Sequence, residues 1–181
     1  MHITPQNIPS EVKTVTQTLE NAGFEAYLVG GCTRDLLLDK TPKDWDITSN
    51  AHPKDIQALF PDHYFNNDFG TVGVKTDSEE ETLRVIEVTP YRTEGTYSDA
   101  RRPDQVTFGV SLTEDLQRRD FTVNALAYRV QTEELVDTFA GLDDLKKGVL
   151  RTVGDPNERF SEDALRIMRA IRLAAQLEFV I

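Results

Sequence analysis

The sequence predicts an α+β fold: a mixed, largely antiparallel sheet with flanking helices, followed by the start of an all-helical region. Three observations carry this prediction. Short apolar runs of strand length recur through the first 140 residues, separated by Gly, Pro and acidic turns. The first of them runs into Gly30-Gly31 and opens a helix. From Gly141 onward the pattern turns helical, which sets a boundary between residues 1–140 and 141–181.

Taken in order, Pro9 precedes a helix that Ser10 is placed to cap, with Val12, Val15 and Leu19 on one face and Gly23 as its stop. Residues 24–29 are mostly apolar and read as a central strand; residues 32–38 then form a short helix. A second strand covers 45–48, and a helix runs from near Pro53 to Phe60-Pro61. Strands follow at 71–75 and 83–88, with the acidic stretch 77–81 as an exposed hairpin tip. The polar segment 92–110, with Gly95, Pro103 and Gly109, reads as a mobile loop. Residues 113–124 read as an interrupted helix, and 126–130 with 135–139 as a strand pair. Ser161 is placed to cap a final helix in which Ala164, Met168, Ile171 and Ala175 share a face.

Composition narrows the function classes. With 181 residues, 39% hydrophobic and 28% charged, the chain reads as globular rather than disordered. No apolar run approaches the roughly 18 residues of a membrane span. The start Met1-His2-Ile3-Thr4-Pro5 lacks a basic segment leading into an apolar one, so no signal peptide is expected. A single cysteine, Cys32, excludes an internal disulfide; a cytoplasmic location is expected. The net charge of −11 argues against indiscriminate polyanion binding, which needs Lys and Arg against phosphates. The arginines nevertheless gather at 101–102, 118–119 and 166–172, so one basic channel is compatible with an acidic chain.

Two local patterns carry chemistry. Gly30-Gly31 followed by Arg34 places a close-approach turn at a helix start, with a guanidinium one turn in, which suits an anionic ligand; by itself such a turn is more often only a turn. Asp44-Trp45-Asp46, if extended, sends both carboxylates to one side and Trp45 to the other. Paired hard oxygen ligands suit Mg²⁺, although an isolated Asp-x-Asp is commonly a solvated turn. Glu87, set inside the apolar run Val85-Ile86-Glu87-Val88, adds a third acid that is costly to bury without a partner. Three acids after a phosphate-cradling turn describe metal-assisted phosphoryl or nucleotidyl transfer.

The residues Leu28-Val29-Gly30-Gly31-Cys32-Thr33-Arg34-Asp35 with Asp44-Trp45-Asp46 closely resemble the first motif of the class II tRNA nucleotidyltransferase (CCA-adding) and bacterial poly(A) polymerase family, within the polymerase β-like nucleotidyltransferase superfamily. Three later stretches agree in order and spacing: Arg118-Arg119-Asp120-Phe121-Thr122-Val123-Asn124-Ala125, Gly141-Leu142-Asp143-Asp144-Leu145 and Glu162-Asp163-Ala164-Leu165-Arg166. The resemblance implies a catalytic head over 1–140 and the beginning of a helical neck over 141–181. It implies Asp44 and Asp46 as ligands of two Mg²⁺ ions, with Glu87 as third catalytic acid. It assigns the triphosphate to Gly30, Gly31 and Arg34, and ribose and phosphate contacts to Arg119, Asp120 and Asn124.

The same resemblance gives Asp163 and Arg166 the incoming base, and the chemistry is sensible. Cytosine and adenine both offer an amino donor beside a ring-nitrogen acceptor, whereas uracil and guanine reverse that order. A carboxylate only accepts and a guanidinium only donates, so the pair favours C and A without a nucleic-acid template. Read without the resemblance, Asp163 and Arg166 are an ordinary helix pair three residues apart.

The function so implied is template-independent addition of CMP and AMP, from CTP and ATP, to the 3′ end of tRNA, with release of pyrophosphate. The segment 92–110, with Tyr97, Asp99, Arg101, Arg102 and Pro103, resembles the flexible loop of CCA- and A-adding members. The alternatives are an A-adding enzyme or a poly(A) polymerase, and, in another class, a nucleotide- or RNA-binding module without turnover. Family members continue through helical regions that grip tRNA, so the isolated head is expected to bind nucleotide and to extend tRNA poorly.

Overall fold

A computed structural model describes residues 1–66, 69–95, 103 and 105–181. The chain begins with helix α1 (Ser10–Asn21), strand β1 (Ala26–Val29), helix α2 (Gly31–Leu37), strand β2 (Asp46–Ser49) and helix α3 (Pro53–Leu59). Strands β3 (His63–Asn66), β4 (Thr71–Lys75) and β5 (Val85–Pro90) follow, then a short pair, β6 (Arg92–Glu94) and β7 (Val106–Phe108). Helix α4 (Leu112–Gln117) leads through a 3-10 turn at Thr122–Asn124 to β8 (Leu126–Arg129) and β9 (Glu134–Asp137). Helices α5 (Gly141–Lys147), α6 (Pro156–Glu162) and α7 (Leu165–Leu177) complete the fold, an α+β architecture as expected.

Seven strands form one sheet in the order β3-β4-β5-β2-β1-β8-β9. Only β2 and β5 pair in parallel; the other neighbours are antiparallel. Side chains alternate across a strand, so register decides which face each residue serves. Leu28, Ile47, Ile86, Val88, Val72 and Val74 turn to one face and join Val12, Val15 and Leu19 of α1 and Ile56 of α3 in the main core. Tyr27 and Val29 turn the other way, into a smaller cluster with Tyr91, Leu116 and Ala127. Asp46 and Thr48 share that second face, two residues apart on β2. The buried main core thus fixes a sheet whose opposite face carries the polar chemistry.

Several local expectations are revised. Pro9, not Ser10, is the cap residue of α1, and the Ser10 hydroxyl donates to the Glu11 carboxylate at 3.0 Å. Strand β3 was not anticipated, although His63-Tyr64-Phe65 are good strand formers. The ends of segment 92–110 form the β6–β7 ribbon rather than a loop, because Arg92 pairs with Phe108 and Glu94 with Val106. Tyr97, Asp99, Arg101 and Arg102 lie outside the described residues.

The final helix is two helices, not one capped by Ser161. The chain is extended at Asp163 (φ −137°, ψ 104°), and the Asp163 carboxylate accepts from the Leu165 amide at 2.9 Å. On α7, Arg166, Ala170 and Leu173 are the buried residues, while Met168 and Ile171 are more than half exposed. Helix α5 is tied to the 3-10 turn: the Thr122 hydroxyl donates to the Asp144 carboxylate at 2.7 Å, and Gly141 lies against the Thr122 carbonyl with no room for a side chain.

Candidate active site

Asp46 opens β2, and the site is built around it. In the parallel pairing of β2 with β5, Asp46 and Glu87 are direct partners, so their carboxylates stand beside each other on the same face. Asp44 lies two residues earlier, in an exposed bend rather than in the strand. Trp45 between them is 3% exposed and packs into the main core, which anchors the pair of acids at the sheet edge of the site. The expected extension through Asp44 is therefore replaced by a bend, while the separation of Trp45 from the acids holds.

Burial pushes the Asp46 carboxyl up to about 6; the nearby Arg119 charge opposes this, and Glu87 and Asp44 add to it. An acid held in that state gains from a cation. Among the described residues no three His, Cys, Asp or Glu side chains already converge as a closed metal cage. The carboxylates of Asp46 and its strand partner Glu87 offer the hard oxygens a divalent ion such as Mg²⁺ takes, one or two at a time, beside water and substrate phosphates. The donor set fits.

Asp46 borders two cavities. The first, about 460 Å³, is lined by Gly30, Gly31, Asp46, Arg119, Asp120, Asn124, Asp163 and Arg166, with Phe69, Arg92, Glu94, Pro103, Arg118, Leu165 and Arg169. The second, about 620 Å³, is lined by Asp44, Asp46 and Glu87, with Lys43, Trp45, Tyr64, Glu81, Thr82 and Val85. The first is rich in arginine and the second in acids.

Gly30 shapes the floor of the first cavity. Its backbone (φ 73°, ψ −135°) is one that glycine alone adopts readily, and it serves as the cap residue of α2. A Cβ there would stand 3.5 Å from Arg119 Nη1 and 3.6 Å from Asp46 Oδ2, in the space between cation and acid. Arg119 donates through Nη2 to Asp115 Oδ2 at 3.2 Å, while its Nε is buried without a hydrogen-bond partner.

Arg34 takes a different place from the one expected. It lines neither cavity. Its Nε and Nη2 donate to Asp35 at 2.9 and 2.7 Å, and its Nη1 donates to Asn124 Oδ1 at 2.6 Å. Asn124 in turn donates to Asp120 Oδ1 at 3.2 Å, and Asp120 Oδ2 faces Arg169 at 3.6 Å. Arg34 thus braces two residues that do face the cavity.

Asp163 and Arg166 also line the first cavity, 9% and 4% exposed. Arg166 is held by Glu162 at 2.6 Å and by the Arg159 carbonyl at 2.9 Å, so its guanidinium is oriented before any ligand arrives.

Sequence reasoning missed the buried support. Asp115, wholly buried, accepts from Arg118 at 2.8 Å, Arg119 at 3.2 Å and the Thr48 hydroxyl at 3.1 Å. Burial alone would raise its pKa, but the Arg119 and Arg118 charges together hold it below the usual carboxylate range. Arg118 also pairs with Glu94 at 3.1 Å, as does Arg92, whose guanidinium lies 5.3 Å from the centroid of the Phe69 ring. The pairs of Asp115 with Arg118 and Arg119 have helical i,i+3 and i,i+4 spacing, but the contacts that tie this cluster to Thr48 on β2 and Glu94 on β6 have no local signature. Tyr64, on the unanticipated β3, donates to Glu87 Oε1 at 3.1 Å and was missed with its strand.

Paired strand acids beside a glycine turn, faced by arginines across a cavity, define a nucleotidyltransferase head. The chain belongs to the poly(A) polymerase head domain family, whose model matches residues 26–151. It is 50% identical over 175 residues to the CCA-adding enzyme of Limosilactobacillus reuteri (strain DSM 20016), covering 93% of this chain and 41% of that one. With the CCA-adding enzyme of Lactobacillus helveticus (strain DPC 4571) the identity is 52% over 166 residues, covering 91% and 40%. The fold matches the crystal structure of the Bacillus stearothermophilus CCA-adding enzyme in complex with CTP, with a TM-score of 0.82 and 38% identity over 96% of this chain and 41% of that one. It also matches a tRNA nucleotidyltransferase complexed with a primer tRNA and an incoming ATP analog, with a TM-score of 0.69 and 33% identity over 92% and 46%. The chain spans about two fifths of the length of the curated relatives it matches.

Proposed function

We propose that this chain carries the catalytic head of a CCA-adding enzyme, which transfers CMP and AMP from CTP and ATP to the 3′ end of tRNA and releases pyrophosphate. The observation that carries the reading is the position of Asp46, beside Glu87 and on the wall shared by an arginine-rich and an acid-lined cavity. The arginine-rich cavity suits a nucleoside triphosphate, and the acid-lined one suits the 3′-hydroxyl that attacks it. Asp44 and Asp46 would hold divalent ions, Mg²⁺ by the hardness of their oxygens, with Glu87 as the third acid. The ions would lower the pKa of the attacking hydroxyl and neutralise charge on the leaving pyrophosphate.

The protein's own residues supply the rest. Gly30 and Gly31 leave room for phosphates, and Arg119 and Arg118 offer positive charge to them. Asp120 and Asn124, braced by Arg34, are placed for the ribose. Asp163 would accept from the amino group of C or A while Arg166 donates to the ring nitrogen. The domain division at residue 140, with 141–181 as the beginning of a helical neck, belongs to the same reading. So does a cytoplasmic location, where tRNA maturation would take place; no helix among the described residues is long and apolar enough to cross a membrane.

The test is product sequencing with labelled CTP and ATP on tRNAs ending before CCA, after C and after CC, using this head joined to the helical regions that grip tRNA in its relatives, with and without Asp44→Ala or Asp46→Ala. Correct completion from all three ends, lost in both variants, is expected. Incorporation confined to the third substrate would mean A-addition, and long A tails a poly(A) polymerase. Activity surviving either substitution would overturn the metal assignment.

A further inference from the structure

One row of residues crosses four strands on the polar face of the sheet. Tyr64 on β3 pairs with Gly73 on β4, Gly73 with Glu87 on β5, and Glu87 with Asp46 on β2. Neighbouring strands lie about 4.8 Å apart, so a side chain on β3 ordinarily meets β4 and stops there. Here the Tyr64 hydroxyl reaches the second strand over, donating to Glu87 Oε1 at 3.1 Å. Gly73 makes the reach possible. A Cβ at that position would fall within the Tyr64 ring, against its Cε1 and Cζ. The reason is space, since a glycine inside a strand commonly marks a close approach by another group.

The hydrogen bond matters because Glu87 is exposed. An exposed glutamate samples many rotamers, and fixing it onto a ligand costs conformational entropy. We propose that Tyr64 is a positioning residue for Glu87: across the gap left by Gly73, its hydroxyl engages one carboxylate oxygen and holds the other for the divalent ion shared with Asp46. The inference rests on the metal-dependent reading of the acid pair. Tyr64 need not touch nucleotide, since it lines the acid-lined cavity and not the arginine-rich one.

The test is Mn²⁺ binding to the full 181-residue chain, followed by the electron paramagnetic resonance signal of free Mn²⁺, with thermal melts in parallel. Tyr64→Phe keeps the ring and removes the donor; Gly73→Ala keeps the hydroxyl and displaces the ring. Both are expected to weaken Mn²⁺ binding by about tenfold, the size of one charge-assisted hydrogen bond. The Tyr64→Phe melting midpoint should stay that of the parent. In a Glu87→Gln background, Tyr64→Phe should cost nothing further, whereas a purely structural role would cost the same in both backgrounds. Parent-like Mn²⁺ affinity in Tyr64→Phe, or additive losses with Glu87→Gln, overturns the proposal while leaving the acid site intact. Asp46→Asn separates the two readings: if it binds Mn²⁺ like the parent, the metal assignment falls and this inference with it.

Discussion

Asp46 and Glu87 stand side by side because β2 and β5 are the one parallel pair in the seven-stranded sheet. Their separation along the chain gives no hint of this. The pairing sets two acids against each other in a partly buried place, and the protein carries the resulting repulsion as a feature of the site.

Burial of its carboxyl, with Glu87 and Asp44 adding to it against the opposing charge of Arg119, makes Asp46→Asn a stabilising change in the absence of metal. Asp46 has a folded-state pKa of about 6, above its unfolded value, so its favourable contribution is complete below the unfolded pKa and is lost as pH rises through about 6. Asparagine avoids that loss. At pH 8 the variant should be more stable by roughly 1–3 kcal/mol, and the difference should vanish by about pH 4. Urea unfolding in chelator across this range checks it, and a variant no more stable at pH 8 would contradict the argument. Mg²⁺ should reverse the order by stabilising the parent alone.

Asp115 should behave in the opposite sense. Its folded pKa is depressed by Arg119 and Arg118, so its contribution is present at neutral pH and lost as pH falls through that depressed value. Asp115→Asn leaves two partly buried guanidinium groups short of a counter-charge, with an expected cost of about 3–5 kcal/mol at pH 7. The gap between parent and variant should narrow only below about pH 4. Calorimetric CTP affinity should fall as well, because Asp115 orients Arg119 toward the first cavity.

Gly30→Ala tests the cradle. The φ of 73° with ψ −135° strains any other residue, at a cost of about 1–3 kcal/mol, and the new methyl would stand between Arg119 and Asp46. Thermal melts should show the strain, and calorimetric CTP affinity should drop by more than tenfold. Full affinity in a destabilised variant would show that phosphates bind elsewhere.

Asp163→Asn tests base choice. Asparagine keeps an oxygen for the Leu165 amide that starts α7, but turns a donor toward the base. Binding of UTP relative to CTP should rise about tenfold or more, in line with the roughly 1–3 kcal/mol that a two-point base contact contributes. An unchanged UTP:CTP ratio of dissociation constants would remove Asp163 from recognition.

The α+β class, the break after β1 and the helical turn after residue 140 were legible in the sequence because each rests on local periodicity and on glycine. Trp45 also spoke correctly: an apolar ring between two acids had to take the buried side. The break at Asp163 and the strand at 63–66 were not legible. A helix-forming run continues through the first, and the second is only four residues long.

By itself the sequence determined the residue types at the site and their grouping into four short motifs, since an i, i+2 pair or a glycine turn is fixed by neighbours in the chain. Only the tertiary structure decided that Glu87 stands beside Asp46, that Asp115 meets Thr48 and Arg118 meets Glu94, that Arg34 braces Asn124, and that Tyr64 reaches across Gly73. These are contacts between distant segments, set by sheet register and core packing. Chain periodicity carries no record of which strands lie next to each other.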